Sequence, residues 1–240
     1  MSKQVSITVF QMAVKVWLRL VFASLLCFVV WVSFEAMGLS FFGEVTGYEI
    51  YEVGENPHLV ASHTFSEGED RGVVIEVEEN QELRYNRVMP AQTKATVGVL
   101  SSLFMLLIYG IFPYNMLWNR GSRDNNFVNL GRISQDKLFG LKVGLLATAP
   151  SALIYILLIF GKIGLMPSDV LRWHRLLNTP FIPFIDAVEA GAKTAVDLPF
   201  FSLLALIATL LFVPLICWLG YFLGYKQISV RERLIYKKKS

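Results

Sequence analysis

The fold is decided by residues 198–225, LPFFSLLALIATLLFVPLICWLGYFLGY, which contain no charged side chain. An unpaired backbone amide costs several kcal/mol in hydrocarbon, and a helix of about 20 apolar residues crosses the core of a bilayer. The stretch therefore predicts a transmembrane helix. Residues 20–42, 95–119 and 143–161 are almost as poor in charge and predict the same structure. We expect a membrane all-α bundle of four transmembrane helices.

The composition agrees with a membrane protein. Of the 240 residues, 54% are hydrophobic, and the mean hydropathy is +0.50. Soluble domains have an apolar share of about 45–50%. The two cysteines, Cys27 and Cys217, lie within predicted spans, where we expect both to be buried apolar side chains. No cofactor and no metal site are predicted.

The distribution of charge predicts the orientation of the spans. Residues 43–92 contain eleven acidic and three basic side chains, whereas residues 226–240 contain six basic side chains and one acidic one. Because Lys and Arg are concentrated in cytoplasmic segments, both termini are expected in the cytoplasm of a plasma-membrane protein. The first span is expected to remain uncleaved. Neither predicted outer loop contains an Asn-x-Ser/Thr site, which favours a bacterial source.

These expectations divide the chain into eight segments. They are the cytoplasmic N terminus with the first span 1–42, an extracytoplasmic insertion 43–92, the second span 93–119, a cytoplasmic loop 120–142, the third span 143–161, an extracytoplasmic loop 162–197, the fourth span 198–225 and a basic cytoplasmic tail 226–240. The cytoplasmic loop is polar, with a short helix led by Ser134. Kinks are expected at Pro113, Pro150 and Pro214, because proline removes a backbone donor.

The insertion between the first two spans changes from helical to alternating periodicity. Short apolar runs near residues 48–53, 59–65, 73–77 and 83–85 are separated by turn-like breaks. They predict three or four antiparallel strands. Because so small a sheet is marginal alone, its apolar face is expected to pack on the helix ends, on the second outer loop or on another subunit.

The loop between the third and fourth spans is predicted to be helical and amphipathic. Ser168 is expected to cap a helix on which Val170, Trp173 and Leu177 share one side. That helix would lie on the outer membrane surface. A second helical segment, residues 184–195, carries an i,i+4 pair of Glu189 and Lys193.

Two glycine pairs have the spacing that lets helix backbones approach in a membrane. They are candidate helix-packing sites, either within the chain or between copies: Gly140, Gly144, Gly220 and Gly224. Basic side chains near the membrane ends are candidates for binding lipid headgroups. These are Lys15, Arg19, Arg231, Arg233, Lys237, Lys238 and Lys239. Nucleic acid is not an expected partner, because no aromatic platform accompanies the basic residues.

Four polar residues are candidates for a functional role. Glu35 is the only acidic side chain within the four apolar runs, and ionisable groups at membrane depth are frequently functional. Asp169, His174 and Asp186 share the second outer loop, where a histidine beside a carboxylate would form a proton shuttle. The acidic turn 67–70, with His58 and His63 nearby, is either a solvated turn or a weak cation site.

The sequence contains no HExxH, GxSxG, Walker or GxGxxG motif, so an enzyme is not expected. The leading hypothesis is an accessory, assembly or sensing subunit of a larger membrane complex. It would contact the lipid bilayer and dock other membrane or extracytoplasmic subunits through the insertion. The alternative is a small channel or carrier subunit whose path is lined by Tyr109, Asn115, Ser151 and Thr209. A membrane-embedded enzyme that uses Glu35 and the second outer loop is third.

Overall fold

The computed structural model describes residues 2–54, 58–66, 78, 80–167, 169–189 and 191–228. For residues 2–8 it describes the backbone alone. The elements, in chain order, are α1 Ser2–Phe42, β1 Glu44–Glu52, β2 Leu59–Thr64, β3 Gln81–Val88, α2 Ala91–Asn129, α3 Phe139–Ala147, α4 Ala149–Lys162, α5 Val170–Leu177, a 3-10 turn Thr179–Phe181, α6 Ile182–Glu189 and α7 Phe200–Tyr225. The chain divides into a helical unit, Met1–Val30 with Ser101–Ser240, and a sheet unit, Trp31–Leu100.

Among the described residues, three helices are long and apolar enough to cross a membrane, as the sequence predicts. They are Val9–Phe42, Ala91–Asn129 and Phe200–Tyr225. Large apolar side chains stay exposed along all three, such as Leu25 (62%), Leu107 (71%) and Leu204 (65%). Soluble monomers rarely expose apolar surface on this scale, so the chain is compatible with a helical bundle embedded in a membrane.

The third predicted span, residues 143–161, falls within a bent pair of helices. Together α3 and α4 are apolar enough for one span, but they meet at an angle of 50° around Thr148. The cause is Pro150 in the first turn of α4, which lacks a backbone N–H and whose ring clashes with a helical carbonyl one turn earlier. Pro113 and Pro214, in contrast, lie inside the continuous helices α2 and α7.

The helical unit is held together where glycines allow backbones to touch. A Cβ atom on Gly140 would lie 2.6 Å from the carbonyl oxygen of Cys217, and one on Gly144 would lie 2.5 Å from the Cα of Pro214. On the other side of α7, a Cβ atom on Gly220 would lie 2.7 Å from the carbonyl oxygen of Tyr114. Gly224 meets the Trp118 carbonyl even more closely. All four candidate packing glycines thus lie at contacts within the chain.

The sheet unit contains three antiparallel strands in the order β2-β1-β3, in agreement with the prediction of a small sheet. Tyr48 in the central strand pairs with His63 on one side and with Tyr85 on the other. Directly paired residues share a face of the sheet. The further run predicted at residues 73–77 and the acidic turn 67–70 lie outside the described residues.

The prediction of a loop at residues 120–142 is wrong over residues 120–129, which are helical. Helix α2 continues to Asn129, and α3 begins at Phe139, so that residues 130–138 form the connection and no helix begins at Ser134. The polar residues beyond position 119 remain helical because they find partners there. Gly121 lets α2 approach the Tyr221 backbone, and Asp124 is 4% exposed beside the Tyr221 hydroxyl.

The second loop also departs from its predicted form. On α5 the buried side chains are Leu171 and His174, whereas Trp173 and Leu177 are 62% and 48% exposed. Helix α5 packs against α4 through the Leu171 side, so the predicted apolar side with Trp173 and Leu177 does not pack on α4. Helix α6 ends at Glu189, so Lys193 lies beyond the helix. Ser168, the predicted cap, lies outside the described residues.

Candidate functional site

The second loop places a compact charged cluster, which we call the loop cluster: Arg175 from α5 with Asp186 and Glu189 from α6. Arg175 donates from Nε to the Glu189 Oε2 at 2.7 Å, and its Nη2 also donates to the same oxygen. The Asp186 Oδ1 lies 3.7 Å from Nη2. The Glu189 side chain is fully buried, while that of Arg175 is 36% exposed. The ion pair therefore ties two short helices together.

Burial and the neighbouring guanidinium act in opposite directions on Glu189. Burial, the larger effect, raises the pKa of its carboxyl, and Arg175 opposes this rise through its hydrogen bonds and charge. The Glu189 Oε1 has no hydrogen-bond partner among the described residues. Loss of the guanidinium would leave a buried carboxyl with no compensating charge at this position.

His174 lies on the buried side of α5 and is 0% exposed. Its ring packs near Tyr155, with the centroids 6.5 Å apart. Burial, aided by the positive charge of Arg175, lowers the pKa of His174 from 6.5 to about 4. At neutral pH the imidazole is therefore uncharged. No described group hydrogen-bonds to either ring nitrogen, so the predicted histidine–carboxylate shuttle is not formed in the described structure.

We expect acid to destabilise the protein through His174. Between pH 6.5 and 4 the unfolded chain binds a proton at this residue that the folded chain does not, so stability falls as the pH falls through that window. The expected loss between pH 7.5 and 5 is about 2 kcal/mol.

The measurement is thermal unfolding in detergent at both pH values, for the wild type and for His174→Leu. The leucine variant fills a similar volume and does not titrate, so its stability should change less between the two pH values. The raised pKa of Glu189 contributes in the opposite direction in both proteins, and this contribution cancels in the comparison. Equal pH dependence in the two proteins would contradict the buried, neutral histidine.

A second buried polar cluster connects α2 to α7. Arg120 Nε lies 3.0 Å from the Asp124 Oδ1, and the Tyr221 hydroxyl donates to the Asp124 Oδ2 at 3.1 Å. The Arg120 guanidinium also lies 5.4 Å from the ring centroid of Phe139 in α3. This cluster was not predicted from the sequence, because Arg120, Asp124 and Phe139 fell in a predicted loop. The four-residue spacing of Arg120 and Asp124 was the available signal.

One face of the sheet is a polar network. Glu49 accepts hydrogen bonds from the Tyr51 hydroxyl (2.8 Å) and the Asn86 amide (3.0 Å), and these bonds lower the pKa of its carboxyl. Arg84 donates to Glu82 at 2.9 Å and stacks 4.9 Å from the Tyr51 ring centroid. These five residues form the polar face, whose donors and acceptors satisfy one another.

The other face of the sheet is aromatic, and we call it the aromatic face: Tyr48, His63, Phe65 and Tyr85. The rings of Tyr48 and His63 lie 5.5 Å apart, and Phe65 lies 6.0 Å from Tyr48 and 5.5 Å from His63. Tyr85 is nevertheless 47% exposed, and His63 is also exposed. Tyrosines with an apolar ring and a polar tip are enriched at protein interfaces.

The four candidate functional residues belong to two units of the chain. Glu35 belongs to the sheet unit, whereas the other three belong to the helical unit. Asp169 is exposed and lies 3.7 Å from Arg172. His174 is buried, and Asp186 lies at the edge of the loop cluster. Glu189 was predicted to pair with Lys193, but it pairs with Arg175.

The residues of the hypothetical channel path do not share one cavity in the described structure. Tyr109 and Ser151 line a common cavity of the helical unit. Asn115 is exposed on α2, and the Thr209 hydroxyl donates to the Leu206 carbonyl of its own helix. Among the candidate headgroup residues, Lys15 and Arg19 are exposed on α1. The others, Arg231, Arg233, Lys237, Lys238 and Lys239, lie outside the described residues.

Comparison with known proteins gives no relative: no family model, no curated protein and no solved structure matches the chain.

Proposed function

We propose that this protein is an accessory subunit of a membrane complex. Its helices cross the plasma membrane four times, with α3 and α4 as one bent span and both termini in the cytoplasm. The sheet then lies outside the cytoplasm, where it docks another protein subunit. The acidic insertion and the basic tail support this orientation through their opposite charge balance.

The aromatic face is the observation that carries the proposal. The rings of Tyr48, His63 and Phe65 contact one another, and Tyr85 beside them keeps 47% of its surface accessible. A sheet of three strands is marginal as an isolated structure, so burying this face against a partner would stabilise the sheet as well as the complex. The polar face is not a comparable surface, because its side chains are engaged with one another.

Photocrosslinking in native membranes tests this proposal. Benzoylphenylalanine in place of Tyr85 should give one discrete protein adduct, since this position lies within the aromatic face. The matched control is the same replacement at Ser62, which is exposed on the polar side of β2 and pairs with Glu49. We expect the control to give little or none of this adduct. The same adduct in equal yield from both positions, or recovery of the uncrosslinked chain alone, would contradict the proposal.

A further inference from the structure

A cavity of about 380 Å³ lies within the helical unit. It is bounded by α1, by the break between α3 and α4, and by the end of α5 with the 3-10 turn that follows. Apolar side chains form most of its wall, among them Leu20, Leu25, Ile154, Leu176 and Val213. The 50° bend at Thr148 belongs to the wall as well, because residues on both sides of the break line the cavity.

The size and polarity of this cavity indicate an organic occupant. An apolar cavity of about 150 Å³ is enough to bind benzene, and small-molecule sites commonly measure about 300–1,000 Å³. A cavity of about 380 Å³ therefore accommodates a ligand with many carbon atoms. Its mainly apolar wall is unfavourable for water and favourable for hydrocarbon.

Five residues with hydroxyl groups line the cavity: Ser24, Tyr109, Thr148, Ser151 and Thr179. Two of these hydroxyls have already used their hydrogen, because Thr148 donates to the Gly144 carbonyl and Thr179 donates to the Leu176 carbonyl, each at 2.6 Å. A hydroxyl oxygen that has donated its hydrogen still accepts hydrogen bonds. These two positions therefore match a ligand group that donates.

Charge narrows the class of ligand further. None of the described residues that line the cavity is acidic or basic. A charged headgroup would lose its hydration there without gaining a counter-ion, at a high cost in free energy. The cavity thus matches an uncharged head, and a hydroxyl is the simplest neutral group that donates to the threonine oxygens.

Access to the cavity runs along α1. Trp17, Val21, Leu25 and Phe28 line the cavity and are still 39%, 43%, 62% and 43% exposed. The mouth is therefore formed by the exposed apolar surface of this helix. For a protein embedded in a membrane, such surface faces hydrocarbon, and a ligand would enter from the lipid rather than from water.

We propose that this cavity binds a neutral long-chain lipid whose head group carries a free hydroxyl. The hydrocarbon chain occupies the apolar wall between α1 and α4. The hydroxyl donates its hydrogen to the Oγ1 of Thr179, in the 3-10 turn after α5. The site belongs to the helical unit, whereas the proposed docking surface belongs to the sheet unit.

Fluorescence quenching of Trp17 tests the proposal in the full-length protein, reconstituted in dioleoylphosphatidylcholine vesicles. The probes are dibrominated stearyl alcohol and dibrominated methyl stearate, which carry the same chain but differ in the hydroxyl donor. The contribution of Trp17 is the difference between the wild type and Trp17→Phe. We expect saturable quenching by the alcohol, with an affinity about tenfold higher than that of the ester.

Two variants decide the location of the site. Ser151→Phe fills the cavity and should abolish the saturable quenching, whereas Leu153→Phe, at a 60% exposed position of the same helix, should not. Thr179→Val keeps the volume and removes the acceptor, so it should remove most of the preference for the alcohol. Equal, unsaturable quenching by both probes would overturn the proposal. An unchanged alcohol preference in Thr179→Val would overturn it even where Ser151→Phe fails to fold.

Discussion

Replacing Gly144 by leucine is expected to prevent the helical unit from assembling. A Cβ atom at this position would lie 2.5 Å from the Cα and 3.2 Å from the backbone nitrogen of Pro214. These are backbone atoms of α7, so the clash cannot be relieved by rotating a side chain. Even modest overpacking of a core costs about 1–3 kcal/mol, and here α3 and α7 must move apart. We expect Gly144→Leu to lower the free energy of unfolding by more than about 3 kcal/mol.

Size-exclusion chromatography and thermal unfolding in mild detergent provide the measurement. The matched control is an alanine pair. Gly144→Ala should destabilise the protein, whereas Gly110→Ala should not, since its Cβ atom would lie 3.5 Å from the Phe212 ring, an ordinary contact. Alanine is intrinsically better than glycine in a helix, by about 0.5–1 kcal/mol, so this effect cannot explain a loss at Gly144. Equal stability of the two alanine variants would contradict the close contact of α3 with α7.

Removing the guanidinium of Arg175 is expected to have the second large effect. Glu189 has a fully buried side chain, and Arg175 is its hydrogen-bond donor in the described structure. Arg175→Ala leaves this carboxyl buried without its partner, and breaking a buried pair from one side costs about 3–5 kcal/mol. Because Arg175 itself is 36% exposed, the lower end of that range is expected.

A double variant separates the attraction of the pair from the cost of the orphaned charge. Arg175→Leu with Glu189→Leu removes both charges, and replacing a buried pair by apolar residues is frequently close to neutral. We therefore expect thermal unfolding of the double variant to resemble the wild type more closely than Arg175→Ala does. Arg172→Ala is the control, since its ion pair with Asp169 is exposed on both sides and should contribute about 0–1 kcal/mol. A loss in Arg175→Ala no larger than in Arg172→Ala would contradict the buried pair.

The features that the sequence could predict are those that depend on local pattern. The length of the stretches without charged residues predicts the long helices. Alternating apolar residues with turn-like breaks predict β1, β2 and β3. Pro150 predicts the break between α3 and α4, because the loss of a donor and the ring clash act within one helical turn. The small-residue spacing of Gly140 and Gly144 likewise predicts that a backbone comes close, although not which one.

The features that the sequence could not predict depend on contacts between distant segments. Packing against α4 sets which side of α5 is buried: Leu171 and His174 are buried, and Trp173 is exposed. Glu189 has an i,i+4 neighbour in Lys193, but its partner Arg175 comes from another helix. The cavity is lined by residues of α1, α2, α3 with α4, α5 with its 3-10 turn, and α7, and it was not foreseen. Of its hydroxyl residues, Tyr109 and Ser151 were expected as parts of a channel path.

The central claim is that the chain crosses the membrane, with the sheet on one side and the connection between α2 and α3 on the other. Labelling with a membrane-impermeant maleimide in intact cells tests this claim most directly. The wild type provides the blank, since Cys27 and Cys217 are both buried. Single cysteines replace Ser66, after β2, and Ser134, in the α2–α3 connection, both of which are exposed. We expect Ser66→Cys to be labelled in intact cells and Ser134→Cys only after permeabilisation. Labelling of both positions in intact cells, or of Ser134→Cys alone, would contradict the claim.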